Sequence, residues 1–63
     1  MWTSVYMTQD INTAQSMREK MECSDILVMM RSIKLEDRPG EDCFEILVPS
    51  AELKDALEII ITE

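Results

Sequence analysis

The chain opens on a period of two. From Trp2 to Thr8, Trp2, Ser4 and Tyr6 fall on one side and Thr3, Val5 and Met7 on the other, and the β-branched and aromatic content fits a pleated strand. Thr8-Gln9-Asp10 interrupts the alternation, and Asp10 offers a carboxylate where the first turn of a helix leaves its N–H groups unpaired. From Ile11 to about Cys23 the apolar spacing lengthens to three and four, which puts Ile11, Ala14, Met17 and Met21 on one helical stripe. Gln15, Glu19, Lys20 and Glu22 surround that stripe, and no glycine or proline interrupts it. Ser24-Asp25 is a polar stop. The next segment, Ile26 to Leu35, is apolar on both sides as far as Met30 and alternates beyond it, which predicts a strand buried at one end and exposed at the other. Asp37-Arg38-Pro39-Gly40 predicts a tight turn, because proline presets φ and glycine tolerates positive φ. Cys43 to Val48 is a third strand with Phe44, Ile46 and Val48 on one face, ended by Pro49, which has no N–H to give a ladder. Ser50 is placed to cap a last helix from Ala51 to about Ile61, with Glu52 in its first turn. Leu53, Ala56, Leu57 and Ile60 form the buried stripe of that helix. Ile59 and Ile61 lie off it, so the final residues either widen the contact surface or leave the helix as a short fourth strand.

This order predicts one α+β domain over residues 1–63: a βαββα two-layer sandwich of the ferredoxin-like kind, with the short C-terminal fourth strand as an open alternative. The second and third strands should form an antiparallel hairpin across the acidic turn. Both helices should cover one face of the sheet, assigned to Val5, Met7, Val28, Met30, Phe44, Ile46 and Val48. The other face then carries Trp2, Tyr6, Leu27, Met29, Ile33 and Leu47, diluted by Ser4, Thr8, Arg31 and Glu45.

Size and charge sharpen the meaning of that bare face. A chain of 63 residues and 7.3 kDa folds from about 10,600 Å² of accessible surface to about 4,200 Å². Burial then contributes about 95 kcal/mol, while ordering the chain costs a nearly equal ~95 kcal/mol. A domain so marginal gains from burying further apolar area on a partner. Six basic against thirteen acidic residues leave a net charge of −7, which opposes phosphate backbones and anionic bilayers, so neither nucleic acid nor membrane is an expected partner. The longest apolar runs, Ile26–Met30 and Ile59–Ile61, are far short of the ~20 residues that span a bilayer. The start of the chain has no signal-peptide pattern, and two cysteines do not make a disulfide framework. The expected location is the cytoplasm.

Candidate chemistry is sparse. Histidine is absent, which removes the imidazole base, the Ser–His and Cys–His nucleophiles and His-based zinc sites. Cys23 and Cys43 have no second pair for a thiolate metal site and read as apolar filler, with a redox pairing as the other reading. Glu36, Asp37, Glu41 and Asp42 lack the spacing of a calcium loop and read as a solvated hairpin turn. The six methionines lie mostly at core positions. No cofactor, no metal and no enzymatic activity are expected. Arg31 and Lys34 are a candidate anion contact for a small ligand, although neutralising Glu45 or Glu36 across the hairpin is the simpler role.

Several segments together resemble a known family. An opening like Val5-Tyr6-Met7-Thr8, a helix with a central Ala14, a strand ending Ile46-Leu47-Val48-Pro49 and the closing Glu52-Leu53-Lys54-Asp55-Ala56-Leu57 are similar to a family of short prokaryotic signal-transducing proteins of unassigned function. That fold is similar to PII and ferredoxin-like domains. Ser24-Asp25 departs from the Gly-Ile of the family pattern. The resemblance implies a regulatory or ligand-sensing module without a defined chemistry. The expected function is therefore a small interaction module that binds a protein partner, or a second copy of itself as a homodimer, through the helix-free face. Trp2, Tyr6, Met29, Arg31 and Leu47 are its contact residues, since aromatics and arginine dominate contact energy. The alternative is a sensor of a small anionic ligand at a dimer interface.

Overall fold

A computed structural model describes residues 1–34 and 42–62. It contains strand β1 (Trp2–Thr8), helix α1 (Ile11–Cys23), strands β2 (Met29–Lys34) and β3 (Asp42–Pro49), a single 3-10 turn (Ser50–Glu52) and helix α2 (Leu53–Ile61). The βαββα order is the one the hydropathy pattern predicts. Ile59–Ile61 stay helical, and no fourth strand forms among the described residues. The acidic turn expected between β2 and β3 falls mostly outside the described residues.

The three strands form one sheet in the order β1-β3-β2, and both pairings are antiparallel. The last strand along the chain therefore sits in the middle, where it receives ladder bonds on both sides. Its burial follows: Glu45, Ile46, Leu47 and Val48 are all buried. β2 is shorter than its apolar run suggests. Ile26, Leu27 and Val28 precede it, tied down by Ile26 donating its N–H to the Met21 carbonyl and Leu27 donating to Glu52 Oε2 at 3.0 Å.

Helix α1 keeps its expected limits because both ends are specified locally. Asp10 accepts the Asn12 N–H on Oδ1 at 3.1 Å, answering a backbone group the first turn would leave unpaired, and the Thr13 hydroxyl on Oδ2 at 2.8 Å. At the other end Asp25 adopts φ 61°. Its N–H bonds the Glu22 carbonyl and the Ile26 N–H bonds that of Met21. This is the paired closure of a Schellman motif, and Ile26 and Met21 meet in the core as that motif favours.

Helix α2 departs from expectation at its start. Ser50 makes no cap. Its backbone N–H and its hydroxyl both donate to the Met1 carbonyl, at 2.7 and 3.0 Å, and the hydroxyl also meets Thr3 Oγ1. The segment 50–52 winds as a 3-10 turn, at about 120° per residue in place of 100°, which rotates the following helix by about 60° relative to a continuous α-helix from Ser50. The inward stripe moves accordingly to buried Ala56 and half-buried Ile59 and Ile60, and Leu57 is exposed.

The core lies between the helices and one sheet face. Ala14, Met17, Met21 and Ala56 from the helices meet Ile26, Ile46 and Val48, with Tyr6, Met30 and Phe44 among the side chains packed around them. Both helices thus cover the Ile46/Val48 face and leave the Leu47/Glu45 face bare of helix. No helix among the described residues is long and apolar enough to cross a membrane.

Candidate functional site

The helix-free face can be laid out row by row from the strand register. Trp2 stands beside Pro49; Ser4, Leu47 and Met29 form the next row; Met7, Glu45 and Arg31 the next; Cys43 and Ile33 the last. One irregularity sets this layout. The β1–β3 register shifts between Ser4 and Tyr6, so Val5 is an extra residue in β1. A bulge of this kind makes two residues oppose one and reverses the side on which later residues point. Tyr6 therefore turns toward the helices and packs against the core, and Met7 takes the place on the bare face that strict alternation assigns to Tyr6.

Among the residues expected at a contact surface, Trp2, Met29, Arg31 and Leu47 lie on this face and Tyr6 does not. Met7 is the residue that sequence reasoning misses, since nothing local in Ser4-Val5-Tyr6 announces the bulge. The face has an exposed margin and a closed centre. Trp2, Met7 and Met29 are 42%, 54% and 38% exposed, whereas Leu47 and Glu45 are 6% and 7% exposed. Leu27, two residues ahead of Met29, is also exposed.

Glu45 explains why the centre can be closed. A carboxylate this buried is stable only if its charge is answered. Arg31, its direct neighbour on β2, donates Nε to Oε1 at 2.7 Å and contacts the same oxygen through Nη2. Hydrogen bonding from the Ser4 hydroxyl, and then from Arg31, holds the Glu45 carboxyl below the ordinary glutamate range, outweighing the burial that pushes it up. The Arg31 side chain keeps over half its surface in solvent, so the guanidinium lies over the carboxylate as a lid. This is the cross-strand neutralisation anticipated for Arg31. Lys34 lies opposite Asp42 in the other phase of β2, so the two cations are not brought together on one face to hold an anion.

The two thiols are free: Cys23 is exposed at the end of α1, and Cys43 shares the helix-free face with Glu45. The acidic turn read as a solvated hairpin lies, apart from Asp42, outside the described residues. A separate shallow cleft of about 520 Å³ runs between the ends of α1 and α2, lined by Ser16, Glu19, Lys20, Cys23, Ile59 and Thr62 among others.

No family model, no curated protein and no solved structure matches the chain.

Proposed function

We propose that this chain is a non-enzymatic interaction module of the regulatory kind, docking on protein through its helix-free sheet face. One observation carries the reading: Trp2, Met7 and Met29 stand exposed around a centre in which, among the described residues, Glu45 and Arg31 form a self-satisfied pair. Exposed apolar groups gathered on one face mark association sites. A neutralised centre removes the desolvation cost that a lone buried charge would impose on binding. The order β1-β3-β2 with two antiparallel pairings is also that of a ferredoxin-like sheet lacking its outer fourth strand. This supports the kinship with short signal-transducing proteins that several segments of the chain suggest. The proposed location is the cytoplasm, in keeping with two free thiols.

The test is photo-cross-linking in cells from single sites. A photoreactive residue at Met7 or Met29 should give covalent protein adducts, and the same residue at Gln15, exposed on α1, should give few. Equal labelling from all three positions, or none from the two face positions, would refute the assignment.

A further inference from the structure

The occupant of this face follows from its charge, its edges and its area. The chain carries −7, yet the described face holds one arginine and one glutamate, bonded to each other. The other described charged residues lie on α1, at the turns, at the Lys34/Asp42 end of the hairpin or along the 3-10 turn and α2. A basic partner is therefore drawn to the helix side. The bare face is where another strongly acidic molecule meets the least repulsion, and the acidic molecule present at every concentration of this protein is a second copy.

The sheet edges argue against lateral pairing. β1 is bulged at Val5, and β2 carries Arg31 and Lys34, both devices that blunt an open edge. Three strands about 4.8 Å apart and seven residues long present about 330 Å² in projection. Two such faces with their side-chain relief remove on the order of 1,000 Å² in all, the lower bound of a specific interface.

Resting on the docking face described above, we infer that its occupant is a second copy of this chain, stacked sheet to sheet in a weak two-fold dimer. A two-fold axis along β3 lays β1 of each copy over β2 of the other. Trp2 of one copy then covers the neighbourhood of Met29 in the other, an indole-to-thioether contact, and Met7 covers the Arg31–Glu45 pair. The exposed margins of the monomer are thereby paired with each other, as an isologous interface requires.

Sedimentation and nuclear magnetic resonance of the full chain between ~1 mM and ~10 μM test this, because an interface this small dissociates in that range. The expected result is a reversible shift from twice 7.3 kDa to the single chain. Dilution should move the resonances of Trp2, Met7 and Met29 and leave those of Gln15 and Lys54 in place. Met29→Glu and Met7→Glu should each remain monomeric at ~1 mM with an unchanged circular dichroism spectrum, since both sites are solvent-accessible margins. A single 7.3 kDa species at every concentration overturns the inference, as does a dimer whose dilution shifts map to α1 and α2. If the chain stays monomeric while Met29 cross-links to other proteins in cells, the self-association fails and the docking face stands. If Met29 gives no adduct either, both fail.

Discussion

A carboxylate in the middle of a sheet face persists only when its charge is answered, and Glu45 is answered by Ser4 and by Arg31. Because its folded pKa is depressed, the group contributes stability that is present above the ordinary glutamate value of 4.5 and is lost as pH falls through the lower folded value. Glu45→Gln should therefore lower the urea midpoint at neutral pH, and its difference from the wild type should shrink as the solution is acidified. A difference that stays constant down to the acid end would mean that the carboxylate charge is not what stabilises the pair. Asp25 is the other residue under local constraint. At φ 61° it holds the left-handed position that closes α1, where glycine has no Cβ to accommodate. Asp25→Gly should raise stability by about 0.5–1 kcal/mol in equilibrium unfolding, because the left-handed strain relieved exceeds the chain entropy added. A loss would show that the Asp25 side chain does more than tolerate its conformation.

Among the elements, β1 and α2 are the two whose faces depend on a small irregularity. The extra residue Val5 puts Met7 outside and Tyr6 inside. Deleting Val5 should consequently leave the pairings Ser4–Leu47 and Tyr6–Ile46 in place, since it removes the residue without a partner. The cost should be about 1–1.5 kcal/mol for the half-buried side chain lost. Cross-strand nuclear Overhauser contacts would verify the register; a slip of Met7 to the helix side would contradict the bulge. Helix α1 illustrates the opposite case. Its limits, Ile11 and Cys23, its Asp10 cap and its buried Ala14, Met17 and Met21 were all legible, because a helix is built from contacts three and four residues apart. Helix α2 was legible in place and not in phase: Ser50 looks like a cap, but a distant carbonyl, that of Met1, takes its hydroxyl and N–H.

On the scale of the whole molecule, stability rests on few side chains. Met21, Ile46 and Val48 are the largest fully buried side chains among the described residues, and a domain of this length has about 3–9 kcal/mol in total. Met21→Ala should cost about 2–5 kcal/mol, a large share of that total, and lower the thermal midpoint seen by circular dichroism by about 8–40 °C. A variant that melts within a few degrees of the wild type would mean the helices do not seal this core. The folded surface of 4447 Å² slightly exceeds the ~4,200 Å² expected of a compact chain this size, consistent with a three-stranded sheet covered by helices on one side.

Taken alone, the order of residues determined the kinds of element, their sequence and the limits of α1, since hydrophobic period, capping groups and turn residues act over a few positions. It also pointed to a bare sheet face, with Trp2, Met29, Arg31 and Leu47 on it. Folding in three dimensions decided which strand lies in the centre, which of Tyr6 and Met7 faces outward, how α2 is rotated and why Glu45 can be buried. Each of these is set by partners more than a dozen positions away in the chain, through ladder bonds, a bulge and an ion pair whose free energies exist only once the strands have met.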